Sequence, residues 1–125
     1  MKAKVILTIM AALAVSACED QGQKKVHRER SLRAVYNAGR QMDDARRRAD
    51  RPEATSKDHE AYRAALDRLK RRKQDAADAG VEEWKIESEA MSAIVDATSE
   101  RTARTLAEAK KEDARKQAED DASIK

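Results

Sequence analysis

The chain has 125 residues, 41% of them charged and 2% aromatic, with a formal net charge of +3. That length holds one small domain. Much of the 40% counted as hydrophobic is alanine, and at about 25 cal/mol per Å² of apolar area an alanine-lined seam stabilises far less than a Leu/Phe core, so a large globular core is excluded. Abundant Ala, Glu, Lys, Arg and Asp with three Gly and one Pro point to long helices or coiled coil. Low hydrophobicity with many charges is also the signature of disorder. Near-balanced charge and frequent alanine favour helix in the middle of the chain.

In chain order, Lys2 and Lys4 precede an apolar run, Val5 to Val15, broken only by Thr8, and small residues follow in Val15-Ser16-Ala17-Cys18. This is the layout of a secretory leader, residues 1–17. The run is shorter than the roughly 20 residues needed to span a bilayer. Val15-Ser16-Ala17-Cys18 resembles the lipobox of bacterial lipoproteins: an aliphatic residue, two small residues and cysteine. The resemblance implies cleavage between Ala17 and Cys18, a diacylglycerol on the Cys18 thiol, and usually an acyl chain on the new amino terminus. The match covers only the leader and Cys18, the single cysteine. Ordinary secretory cleavage after Ala17 is the alternative, and would leave Cys18 as a lone free thiol in an exported protein. One lipid chain binds a membrane marginally, whereas two or more anchor stably. In enteric-type lipoproteins, Asp directly after the cysteine is similar to an inner-membrane retention signal. Here Glu19 stands there and Asp20 follows, so the outer membrane is expected over the inner one, with the body facing the periplasm.

Residues 18–25 are polar, contain Gly22 and read as a lipidated tether. The helical domain is expected over 26–125, with breaks near 50–56 and 80. Its first segment, Val26 to Ala49, places Leu32, Val35, Ala38, Met42, Ala45 and Ala49 on one face. Pro52 ends it, because the residue before proline leaves the helical region. Thr55 and Ser56 are candidate N-caps of a second segment, with Asp58 and Glu60 in its first turn. Tyr62, Ala65, Leu66, Leu69, Ala76 and Ala77 form its apolar face, and Gly80 suits its C-terminal cap. A third segment from Val81 has its strongest apolar patch in Val81, Trp84, Met91, Ile94 and Val95. Beyond about Asp113 little remains to pack, and fraying is expected. The fold class is all-α: a helical hairpin or loose three-helix bundle with a long, partly frayed C-terminal helix. Tyr62, Leu66, Leu69, Trp84, Met91 and Ile94 are expected to meet in the core. Trp84 is read as the core anchor, with an interface anchor as the alternative.

Charge is unevenly spread. From Lys24 to Arg51 ten basic and four acidic residues give +6, from Pro52 to Gly80 the balance is +1, and from Val81 to Lys125 it is −4. Arg46-Arg47-Arg48 and Lys70-Arg71-Arg72-Lys73 are the densest basic clusters and read as solvated faces, or as contacts with an anionic surface. Export removes nucleic acid as their partner, and no aromatic residues interleave for base stacking. His27 and His59 stand alone among charged residues, too few for a metal site. Asp43-Asp44 and Asp120-Asp121 read as solvated charge. No Gly-rich phosphate loop or nucleophilic triad pattern is present. Neither an enzyme, a small-molecule substrate nor a cofactor is expected, beyond the lipid on Cys18. Lys125, with the leader and the alanine-rich helices, is also similar to murein-type lipoproteins, whose terminal lysine is joined to peptidoglycan. The breaks at Pro52 and Gly80 and the lack of regular heptads depart from that family. The expected function is that of a membrane-anchored envelope lipoprotein acting on another envelope protein, the alternative being a tether between outer membrane and peptidoglycan.

Overall fold

The computed structural model describes the backbone of residues 2–124 and the side chains of residues 20–124. The fold is all-α. Three helices follow one another: α1 (Lys2–Ala49), α2 (Ser56–Asp78) and α3 (Glu83–Ser123). Both connections form where local chemistry stops a helix. Residues 50–55 around Pro52 turn the chain, and Thr55 caps α2 in a reciprocal box. The Thr55 N–H donates to Asp58 Oδ2 at 2.9 Å, and the Asp58 N–H donates to Thr55 Oγ1 at 3.3 Å. At the far end Gly80 takes φ +87°, its N–H donates to the Ala77 carbonyl, and the Val81 N–H donates to the Ala76 carbonyl. This is a complete Schellman motif, with buried Val81 and Ala76 as its apolar pair.

α1 is the spine. It packs against both other helices, whereas α2 and α3 barely touch. The tight turn makes α2 antiparallel to α1, and the second reversal makes α3 parallel to it. Two cross-links fix that parallel register with the same sequence offset: Tyr36 to Asp96 and Arg40 to Glu100, both 60 residues apart. The core comprises Val35, Ala38, Met42 and Ala45 of α1, Ala65, Leu69 and Ala76 of α2, Val81, and Ile86 and Ala90 of α3. Leu32, Tyr62, Leu66 and Ile94 pack against its edge. The apolar faces expected for α1 and most of α2 are therefore the buried ones, apart from exposed Ala77.

α3 differs from expectation. It buries Ile86, Ala90, Ala93 and Ala97, while Trp84, Met91 and Val95 point outward. The reason is the closeness of α1 and α3. A Cβ on Gly39 would lie 2.9 Å from the Ala93 Cβ and 3.4 Å from the Ala90 carbonyl oxygen. Only small side chains fit on either side of that crossing. The register that places them there also aims Asp96, Glu100 and Arg101 at their α1 partners.

Residues 18–25, read as a tether, continue α1. Gln21, Gln23, Lys24 and Lys25 are good helix formers, Lys24 pairs with Asp20 at 3.1 Å, and one glycine costs only about 1 kcal/mol. Every residue from Asp20 to Arg30 is exposed, as is every residue from Thr102 to Ile124. The body thus carries a helical arm at each pole. Among the described residues the α3 arm makes only its own ion pairs, such as Arg115 with Glu112 at 2.9 Å, and it extends about 33 Å at 1.5 Å per residue.

The two helical glycines are expected to respond oppositely to substitution. Gly39→Leu overpacks the α1–α3 crossing and should cost about 2–3 kcal/mol. Gly22→Ala meets nothing within 4 Å and should stabilise its helical arm by up to about 1 kcal/mol. Thermal unfolding followed by circular dichroism checks both.

Candidate functional site

Three groupings carry the chemistry of the surface and seams. The first is centred on Asp43, which is completely buried. Arg101 Nη1 reaches its Oδ2 at 2.8 Å, Arg47 Nε the same oxygen at 3.3 Å, and Arg46 Nη2 its Oδ1 at 3.0 Å. Burial pushes the Asp43 carboxyl up, but the hydrogen bonds and charges of Arg101 and Arg47 outweigh it and hold it below the usual carboxylate range. Three guanidinium groups share two oxygens, and the Nε atoms of Arg46 and Arg101 are enclosed without an acceptor. Arg101 also donates to Thr98 Oγ1 at 3.1 Å. The arrangement clamps α3 to the C-terminal part of α1.

This corrects the reading of Asp43 as solvated charge. Asp44 is the exposed member of the pair. The local signal was present, since Arg46 and Arg47 stand three and four residues after Asp43. The burial comes from Arg101, 58 residues away in sequence, and no local pattern reports it. Next to the clamp, Tyr36 donates to Asp96 Oδ2 at 2.6 Å and Arg40 grips Glu100 through both terminal nitrogens. That grip holds the Glu100 carboxyl below its ordinary range.

The second grouping is the outward face of α3. Trp84, Met91, Val95, Thr102 and Leu106 recur at spacings of seven and four and lie about 160° around the helix from its buried alanines. Trp84 is 66% exposed, Met91 61%, Val95 53% and Leu106 58%, so these large apolar residues of α3 are on its surface, whereas Ile86 is buried and Ile94 packs at the core edge. The Trp84 indole N–H donates to Glu82 Oε2 at 2.8 Å, and Lys85 Nζ sits 5.3 Å from the ring. An open groove beside this stripe is lined by Arg47, Arg101, Thr102, Leu106 and Ala109. The expected core anchor is therefore an exposed aromatic.

The third grouping is the basic residues. Of the two expected clusters, Arg46 and Arg47 are committed to Asp43, Arg72 pairs with Asp75 at 3.4 Å, and Lys73 pairs with Glu87 at 2.9 Å. Arg48, Lys70 and Arg71 are exposed and make no ion pair among the described residues. The clusters are thus half used internally, which sequence density alone does not reveal. His27 lies on the surface of the proximal arm beside Arg30, and His59 is exposed in the first turn of α2. Among the described residues no three His, Cys, Asp or Glu side chains converge as metal ligands, and no helix is long and apolar enough to cross a membrane. The Cys18 side chain and Lys125 lie outside the described residues. Comparison with known proteins gives no match to a family model, a curated protein or a solved structure.

Asp43→Asn removes the charge and leaves Arg46, Arg47 and Arg101 facing a neutral amide, which should destabilise the body by about 3–5 kcal/mol. The sign with pH follows from the lowered pKa. Stability contributed by Asp43 is present above the unfolded carboxylate value of about 3.9 and is lost as pH falls through the lower folded value. Urea melts between about pH 6 and 2.5 should show a shallower acid loss in the variant than in the parent, because one linked carboxylate has been removed. An equal slope would mean Asp43 is not the coupled group.

Proposed function

We propose that the chain is a lipoprotein of the bacterial cell envelope, anchored by lipid on Cys18, and that it acts without enzymatic chemistry as an accessory protein for another envelope protein. The observation that carries the reading is the coincidence of a basic start, a short apolar run and Val15-Ser16-Ala17-Cys18 with the chain's single cysteine in it. The outer membrane, with the body facing the periplasm, is favoured by Glu19 in place of aspartate. Support for a role in binding comes from the stripe of α3. A small protein that leaves its only Trp, a Met, a Val and a Leu in line on one helix face exposes the kind of side chains that anchor interfaces. The partner would lay an apolar face along α3, with Arg47 and Arg101 at the rim.

A second reading, a tether between outer membrane and peptidoglycan, is favoured by one geometric fact. Because α1 and α3 run parallel, Asp20 and Ser123 stand at opposite poles, roughly 65 Å apart along the helix direction. Retention of the protein on sacculi after boiling in detergent, lost in a Lys125→Ala variant, would select this reading. Complete release would sink its covalent form.

For the lipoprotein itself, intact mass of the protein from detergent-extracted membranes should show a diacylated Cys18 without residues 1–17. A Cys18→Ser variant should lose both the modification and membrane retention. An unmodified thiol would contradict the reading. For the stripe, Trp84→Ser combined with Leu106→Ser should change stability by less than about 0.5 kcal/mol, as exposed positions do. The same variant should abolish a specific crosslinked adduct formed by the parent in intact cells. An adduct unchanged by the substitutions would show that the stripe is not the contact.

A further inference from the structure

We propose that the exposed basic stretch Lys24–Arg33 of α1 is a collar for anionic phospholipid headgroups of the membrane that holds the chain. The proposal rests on the reading of Cys18 as the anchor. Its own support is the division of cations between those the fold uses and those it leaves free. Arg46, Arg47, Arg72 and Lys73, in the densest basic runs of the sequence, are spent within the body on Asp43, Asp75 and Glu87. Lys25, Arg28, Arg30 and Arg33 take part in none of the ion pairs among the described residues, and Lys24 pairs only with the equally exposed Asp20. These cations follow within fifteen residues of the anchor, whereas other unpaired ones, such as Arg48, Lys70 and Arg71, lie on the body.

Geometry adds two points. Residues from Asp20 to Arg30 are exposed throughout, and the α2–α3 corner adjoins one side of them, beside Lys25, Arg28 and Arg30, leaving the other side open. At about 100° per residue, Lys24, Lys25, Arg28, Arg30 and Arg33 point to different sides of the helix, so an arm inclined on a bilayer by its open side presents cations to it. Inclination matters, because Arg33 lies about 22 Å along the helix from Cys18, beyond the Debye length of about 10 Å. Of the acids at this pole, Asp75 and Glu82 are paired with Arg72 and Lys85, while Glu29, Asp78, Glu83 and Glu89 make no ion pair among the described residues; within Lys24–Arg33 itself Glu29 is the one acid against Lys24, Lys25, Arg28, Arg30 and Arg33. Polybasic segments beside a lipid anchor gain from the negative surface potential of anionic lipids, and that gain is screened by salt.

The test uses the full protein extracted from membranes and reconstituted in vesicles of phosphatidylcholine, with or without ~30 mol% phosphatidylglycerol. Limited trypsin digestion, read by mass spectrometry, reports cleavage after Lys25, Arg28, Arg30 and Arg33. Cleavage at these sites should slow about tenfold in the anionic vesicles at low salt and recover at about 1 M salt. Cleavage after Arg104 and Lys110, in the distal arm of α3, should be the same in both vesicles and serves as the control. Equal rates at the collar in the two vesicles would overturn the proposal. Protection gained only when sacculi are added to neutral vesicles would overturn it too, and would assign the collar to a wall polymer. The mass of the Cys18 peptide in the same digests reports the anchor separately, so loss of the collar and loss of the anchor are distinguishable.

Discussion

Gly39 lets α1 and α3 come together nearly backbone to backbone, and the rest of the arrangement follows from that approach. With Ala90 and Ala93 against the glycine, the buried face of α3 is fixed as its alanine face. Once that face is chosen, Asp96, Glu100 and Arg101 stand opposite Tyr36, Arg40 and Asp43. A seam of such small residues supplies little hydrophobic stabilisation per residue. Polar cross-links therefore set the register. The buried Asp43 is the strictest of them, because a lone buried carboxylate is costly and only the parallel register brings Arg101 to it.

The same choice explains the surface. A helix has one buried face in a two-layer contact, and α3 has two candidates: a stripe of alanines and a stripe of larger apolar residues. Close packing against Gly39 admits only the first, so Trp84, Met91, Val95 and Leu106 are left outside. The polar arms are governed by another rule. From Asp20 to Arg30 and from Thr102 to Ile124 every residue is exposed, and the helical form there rests on good helix formers and i,i+4 charge pairs.

Much of the fold was legible from local signals. Pro52, Thr55 and Gly80 mark the helix boundaries, and the stripe from Leu32 to Ala49 names the buried face of α1, because capping chemistry and 3.6-residue periodicity act within a few residues. The face of α3 was not legible. Hydrophobicity ranks Trp84, Met91 and Val95 above Ala90, Ala93 and Ala97, and only the partner helix reveals that small size decides. Asp43 was hidden for the same reason, since its burial depends on Arg101 from another helix. The basic runs at 46–48 and 70–73 gave the right composition but the wrong availability. Ion pairing to Asp43, Asp75 and Glu87 takes four of their cations, and leaves Arg48, Lys70 and Arg71 without an ion pair among the described residues.

An anchor proposed from the leader is thus joined to a body whose apolar stripe faces outward because its small residues face inward. Trp84, the only tryptophan, makes that orientation directly measurable. Its fluorescence in dilute, detergent-extracted protein is expected to resemble that of free tryptophan, red-shifted and readily quenched by acrylamide, and to change little on unfolding in urea. A blue-shifted emission, shielded from acrylamide until the protein unfolds, would place Trp84 in the core and contradict the packing of α3 by its alanine face.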